Sequence, residues 1–154
     1  MKQRIDLVDR IPGTYWHALA ILKLESDPII RAPLEELRYE IGGGAITRRV
    51  DAEVGPLQSE AASLRVPLQW KAAEHPNLFP VMHGELRISD LDGSQIELHL
   101  VGEYCSPLGA VGAFGEALAG RRVAEKTLRG FLTDTTRRLE GRLVAHARRA
   151  GVEP

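Results

Sequence analysis

The side chains most able to do chemistry in this sequence are five histidines, His17, His75, His83, His99 and His146, and a single cysteine, Cys105. Zinc sites and metalloprotease helices place their ligands at short, fixed spacings such as HExxH or paired CxxC. None of the histidines pairs at such a spacing, and one cysteine makes neither a thiolate zinc site nor an intrachain disulfide. No metal and no cofactor are expected. His75 and His83 flank one loop, AEHPNLFP, and are close enough in sequence to meet. His99 has the polar parity of its strand, beside Glu97, and reads as a surface side chain. Cys105 stands near the start of a predicted helix, which lowers a thiol pKa. It has no neighbouring histidine to complete a nucleophile–base pair, so it reads as a buried, inert thiol. There is no GxSxG elbow. No catalytic residue is assigned. Two polar groups remain on the inward side of predicted strands, Arg48 and Tyr104. An ion pair at the sheet edge is the favoured reading of Arg48, and core packing that of Tyr104.

The elements that would position these groups follow from periodicity. RIDLV suggests a short strand with Ile5 and Leu7 on one face. In IPGTYWHALAILKLESDP, the residues Tyr15, Trp16, Leu19, Ala20 and Leu22 fit one face of a helix, opened by Pro12-Gly13 and closed by Asp27-Pro28. The stretch AILKLES also permits a strand. APLEELRYEI, Ala32 to Ile41, reads as a helix with Pro33 in its first turn and Leu34, Leu37 and Ile41 on one side.

From Ala45 the period changes to two. Ile46, Val50, Ala52 and Val54 share a side with Arg48. After Gly55-Pro56, Leu64, Val66, Leu68, Trp70 and Ala72 alternate with polar residues and Pro67. Proline donates no ladder hydrogen bond, so this strand is expected at an edge or with a bulge. GELRIS follows, then the hairpin signal Asp92-Gly93. In SQIELHLVGEY the residues Ile96, Leu98, Leu100, Gly102 and Tyr104 share a side. Successive alternating strands with short turns imply an antiparallel meander with one buried and one wet face. After Pro107 the period returns to 3.6, with an apolar stripe through Leu108, Val111, Phe114, Leu118, Ala124, Leu128, Phe131, Leu132, Leu139 and Leu143. The first turns of this long helix carry Gly109, Gly112, Gly115 and Gly120, each costing roughly 1 kcal/mol against alanine.

Early helical material, a meander and one long last helix follow the order of the helix-grip fold. The local sequence agrees. RVPLQWKA, LFPVMHGELRI, LHLVGEYCSPLGAVG and RRVAEKTLRGFL resemble the SRPBCC (START-like, polyketide cyclase/dehydrase-related) superfamily. The most specific element is a strand ending at Tyr104, the entry Pro107-Leu108-Gly109, and the helix motif Arg122, Val123, Ala124, Glu125, Thr127, Phe131 and Leu132. The resemblance covers roughly residues 45 to 143. In the N-terminal third, Leu37 and Arg38 stand where the family has valine and tryptophan, and the first strand is RIDLV, AILKLES or absent.

The resemblance implies an α+β, helix-grip domain over residues 1–150, a curved antiparallel sheet wrapped around the C-terminal helix, with short helices in the N-terminal third. It implies a cavity between sheet and helix, with the glycines permitting close approach or leaving room. Arg48, Trp70, Phe79, Met82, Leu86, Leu98, Tyr104, Gly112, Phe114 and Leu118 are the residues expected to line it, around an apolar small molecule such as a lipid or polyketide. The expected role is a non-catalytic carrier or sensor. The alternatives are a cyclase/dehydratase-like enzyme in the same cavity, or an interaction protein whose cavity has collapsed.

Length and composition fit one soluble globular domain: 154 residues, 44 % hydrophobic and 27 % charged. A formal net charge of -1 argues against a nucleic-acid-coating protein. The basic residues gathered near the C-terminus read as a solvated helix face, or as a contact for an acidic partner or membrane surface. No apolar run reaches the roughly 20 residues of a membrane span. The opening MKQRIDLVDR lacks a signal-peptide core, and the lone cysteine fits a reducing cytoplasm. The expected partners are the apolar ligand and, in quaternary structure, a second copy in a homodimer.

Overall fold

The computed structural model describes residues 2–41, 44–73, 81–105 and 121–149. The chain opens with strand β1 (Lys2–Pro12), helix α1 (Tyr15–Ser26), a π-helical turn (Asp27–Arg31) and one turn of helix α2 (Ala32–Glu35). Strands β2 (Glu36–Ile41), β3 (Gly44–Val54), β4 (Gln58–Glu60), β5 (Ser63–Ala72), β6 (Val81–Asp90) and β7 (Gln95–Cys105) follow, then helix α3 (Arg121–Arg149). The strands form one sheet in the order β1-β7-β6-β5-β3-β2, with β4 beside β5, and every pairing is antiparallel. This is the α+β helix-grip architecture, with the curved sheet against the long C-terminal helix.

The first strand is Lys2–Pro12, longer than RIDLV, and it closes the sheet by pairing along the whole of β7, from Lys2↔Cys105 to Pro12↔Gln95. AILKLES is helical. The core face of α1 differs from the expectation. Tyr15, Leu19 and Leu22 are buried as expected, but Ala18 and Ile21 join them while Trp16 and Ala20 face solvent. Periodicity could not choose, because this helix is apolar nearly all round. The α-helix stops before Asp27-Pro28, yet the chain stays helical. Pro28 has no N–H to give the preceding turn, and the backbone widens into a π turn there.

APLEELRYEI is a helix only over Ala32–Glu35 and a strand from Glu36. Leu34 and Leu37 suit a helix, but Leu37, Tyr39 and Ile41 also alternate. The tertiary pairing of β2 with β3, Glu36↔Arg49 to Ile41↔Gly44, decides for the strand.

The middle strands match their alternation. Leu64, Val66, Leu68 and Trp70 of β5, Met82, Leu86 and Ile88 of β6, and Ile96, Leu98, Leu100 and Tyr104 of β7 are all buried. The β6–β7 turn is held by aspartates. Asp92 Oδ1 accepts from the Ser94 and Gln95 N–H groups at 3.0 and 2.9 Å, Asp90 Oδ1 accepts from Gly93 N–H at 3.1 Å, and Gly93 supplies φ of 84°. The Ser94 N–H and hydroxyl, with the Gln95 N–H, hold the Asp92 carboxyl below its ordinary pKa.

Strand β5 is not an edge. It lies between β6 on one side and β4 and β3 on the other. Pro67 is tolerated because β4 pairs only with Ser63 to Arg65 and β3 only with Leu68 to Ala72. In the gap, the Pro67 carbonyl accepts from Gly55 N–H at 2.8 Å. A residue's N and C=O point to the same side of a strand, so the missing donor faces that gap rather than β6.

Candidate functional site

Register assembles the concave face row by row. Ala52, Trp70, Met82 and Tyr104 stand opposite one another across β3, β5, β6 and β7. The next row is Val54, Leu68, Gly84, Gly102 and Ile5, and the next is Val66, Leu86, Leu100 and Leu7. Helix α3 covers this face with Leu128, Phe131, Leu132, Leu139 and Leu143, all buried. The Trp70 and Phe131 rings meet with centroids 6.0 Å apart at 51°.

Gly84 and Gly102 face each other in the ladder. A Cβ on Gly102 would lie 2.7 Å from the Gly84 Cα and would strike the His83 carbonyl oxygen. A Cβ on Gly84 would lie 2.9 Å from the Gly102 Cα and would strike the Val101 carbonyl oxygen. The two backbones therefore approach more closely here than side chains allow. The Met82 Cε lies 2.7 and 2.9 Å from those two absent Cβ positions, so its methyl group fills the notch the glycines leave.

The polar groups on the inner side are unusual. Thr127, Thr135 and Thr136 of α3 are buried. Thr136 Oγ1 donates to the Leu132 carbonyl at 2.6 Å, the ordinary helical solution. The Thr127 and Thr135 hydroxyls have no hydrogen-bond partner among the described residues, and neither has the Tyr15 hydroxyl. Thr127 and Thr135 flank Phe131 four residues on either side, so they share its sheet-facing side. Burial pushes the Tyr15 hydroxyl pKa up and keeps it protonated. An unsatisfied buried hydroxyl costs about 1–3 kcal/mol.

Of the residues expected to line a site, Trp70, Met82, Leu86, Leu98 and Tyr104 all lie on the concave face and are at most 2 % exposed. Trp70, Met82 and Tyr104 form one row; Leu86 and Leu98 lie in rows beyond the glycine pair. Arg48 stands in β3 opposite Leu37, on the parity of Val50, and its side chain is outside the described residues. Phe79, Gly112, Phe114 and Leu118 also lie outside them, with the glycines Gly109, Gly115 and Gly120 and the histidine His75. Thr127 is named from sequence only as part of the helix motif, and Thr135 is not singled out. Their signal was a polar residue within an apolar helical stripe, as at Thr135 between Phe131 and Leu139.

The convex face is polar and paired. Glu85 accepts from Arg65 at 3.2 Å and from Arg87 at 2.6 Å. Burial pushes the Glu85 carboxyl pKa up, but the two guanidinium groups outweigh it and hold the carboxyl below its ordinary value. His99 Nε2 meets Asp6 Oδ1 at 2.5 Å, and Arg10 bonds Glu97 at 3.2 Å. Behind the glycine pair this face opens into a groove of about 600 Å³ that includes Arg4, Asp6, Glu85, Arg87, His99 and Glu103. A second groove of about 660 Å³, at the β3 margin, is lined by Glu35, Asp51, Glu53, Gln69 and Lys71 with Val50, Ala52 and Trp70. No cluster of histidine, cysteine and carboxylate groups fit for a metal ion occurs among the described residues. Cys105 is half-buried at the end of β7. No helix among the described residues is long and apolar enough to cross a membrane.

The same architecture occurs in solved structures. The Zhui aromatase/cyclase from Streptomyces sp. R1128 superposes with a TM-score of 0.53 at 14 % identity over 99 % of each chain. A hypothetical protein from Helicobacter pylori gives a TM-score of 0.50 at 13 % identity, over 86 % of this chain and 85 % of that one. No protein-family model and no curated protein matches the chain. The likeness is one of fold, a curved antiparallel sheet against a long C-terminal helix.

Proposed function

We propose that this chain binds an apolar small molecule bearing oxygen functions, such as a polyketide or an oxygenated lipid, between the concave face and α3. The role we assign is carrier or sensor, within one domain spanning residues 1–150. The observation that carries the reading is the set of buried hydroxyls without a partner among the described residues, Tyr15, Thr127 and Thr135, beside the apolar core. Hydroxyl or carbonyl groups of a ligand would satisfy them, separate groups being needed at Thr127 and Thr135, which stand roughly 12 Å apart along α3, and apolar walls with a few polar anchors are what small-molecule sites provide. Trp70, Met82 and Tyr104 form the proposed wall, with Leu86 and Leu98 deeper. Arg48, Phe79, Gly112, Phe114 and Leu118 complete it on the resemblance alone.

A cyclase- or dehydratase-type reaction in the same space is the second reading, supported by the likeness of fold to an aromatase/cyclase over 99 % of each chain. His17, His83 and His99 lie away from the concave face, and His146 is beside Glu25 at 3.5 Å. Tyr15, with its raised pKa, suits a hydrogen-bond donor better than a base.

Native mass spectrometry of the chain from its own host, with extraction of what co-purifies, tests the reading. An oxygenated apolar molecule in stoichiometric amount is expected. Thr135→Val should stabilise the ligand-free protein by about 1 kcal/mol, because it removes an unsatisfied hydroxyl, and weaken the ligand several-fold. Destabilisation of similar size would mean the hydroxyl has a partner in the fold. An empty protein that also ignores lipids and aromatic polyketides in thermal-shift screening would leave the interaction-protein reading.

A further inference from the structure

Helix α1 is apolar on two sides. Tyr15, Ala18, Leu19, Ile21 and Leu22 are buried in the core. A surface helix normally carries polar residues opposite such a stripe. Here the opposite side presents Trp16, Ala20 and Leu24, spaced i, i+4 and i+8 as one ridge. Trp16 is 64 % and Leu24 82 % exposed, the most exposed large apolar side chains among the described residues. The helical rise sets them roughly 12 Å apart along the axis.

A basic stripe lies beside this ridge. Arg138, Arg142, His146 and Arg149 recur along one side of α3. Arg142 Nη1 donates to Glu25 Oε1 at 2.9 Å, and Arg138 Nη1 donates to the Pro28 carbonyl at 3.0 Å. Those contacts place the stripe against the carboxyl end of α1, next to Leu24. Lys23 and Arg149 are exposed and have no ion-pair partner among the described residues.

We propose that the α1 ridge docks on an anionic lipid bilayer. Trp16 and Leu24 enter the boundary between headgroups and acyl chains, and Lys23 and Arg149, the charges beside the ridge not already paired with Glu25 or Asp134, face the anionic headgroups. Tryptophan favours that boundary because its ring is apolar and its N–H polar. Apolar insertion and basic attraction together are what hold a helix on a membrane surface. A second copy fits the patch less well. A two-fold contact centred there would set Lys23 and the basic stripe near their own images. Two projecting side chains also fall far short of the roughly 800 Å² per partner of a stable interface. The inference stands apart from the interior ligand and survives if that reading fails.

The test is co-sedimentation of the full chain with phosphatidylcholine vesicles, with and without about one-third phosphatidylserine. Binding is expected to the anionic vesicles and to fall with added salt. The chain has two tryptophans, and Trp70 is buried, so a blue shift of emission on binding reports Trp16. The double variant Trp16→Ser, Leu24→Ser should keep the wild-type melting temperature and bind about tenfold more weakly or worse. Lys23→Glu with Arg149→Glu should remove the preference for anionic vesicles. Absence of vesicle binding, binding indifferent to the double variant, or ridge-dependent dimerisation in the ultracentrifuge would each overturn the proposal.

Discussion

The two faces of one sheet treat polar groups in opposite ways. On the convex side, Glu85 has two arginines, His99 has Asp6 and Arg10 has Glu97, although water is available to all of them. On the concave side, where water is excluded, the hydroxyls of Tyr15, Thr127 and Thr135 have no partner among the described residues. Strand alternation alone produces the first pattern, because charged residues directly opposite on neighbouring strands, as Arg10 and Glu97, or on the diagonal, as Arg65 and Glu85, fall within reach. It does not produce the second. Outside, pairing is a by-product of register and adds little stability. Inside, each missing partner carries a desolvation cost, which is why the interior rather than the charge-rich exterior points to a ligand.

The largest expected effect comes from the crease in the concave face. Gly102→Ala sets a Cβ into the backbone of β6 and into the Met82 methyl. The loss should be about 3 kcal/mol in urea denaturation, as for severe overpacking, and a loss below about 1 kcal/mol would show that the strands are not so close. Tyr15→Phe comes next. It should leave stability at neutral pH unchanged or raise it by about 1 kcal/mol, since it removes a partnerless hydroxyl. Its pH profile sharpens the point. The folded chain holds the Tyr15 proton more tightly than the unfolded one, so stability is undiminished by this group below the ordinary tyrosine value of 10.0 and falls as pH rises through the higher folded value. Tyr15→Phe should remove that alkaline loss. The smallest effect belongs to the convex face. Arg65→Ala should cost less than about 0.5 kcal/mol and respond to salt, because the Arg65 side chain is 48 % exposed. A cost above about 2 kcal/mol would break the contrast between the faces.

How much of this was legible in the sequence depends on how many competing patterns each segment carried. β5 and β7 alternate cleanly and were readable nearly residue by residue, whereas β6, joined to β7 through Asp92-Gly93, was read only from Gly84 and begins at Val81. Parity placed Trp70, Leu86, Leu98 and Tyr104 on the inward sides of their strands, and Met82 was named only among the residues the resemblance implies. The N-terminal third was not readable in the same way. The segment Leu34 to Ile41 satisfies a helical and an alternating pattern at once, and only its pairing with β3 chooses between them. Helix α1 was found, but its apolar residues run nearly all round it, so Trp16 was turned inward in the reading and outward in the fold. The Gly84–Gly102 contact joins residues from two strands. Its partners can be listed from sequence, but their closeness comes from register.

Pro67 has a further consequence, for assembly. It sits at the one stretch of β5 where neither flank asks for a backbone donor, between the pairings with β4 and with β3. A slip of one residue would turn the ring's nitrogen toward β6 and the apolar side chains outward. A slip of two would bring it to the position of Arg65 or Gln69, opposite β4 or β3, where a donor is needed. Each misalignment thus forfeits a hydrogen bond that the correct one never requires. The ring works as a key that fits its strand in one setting, steering a folding chain away from near-miss sheets before the concave face has closed on its helix.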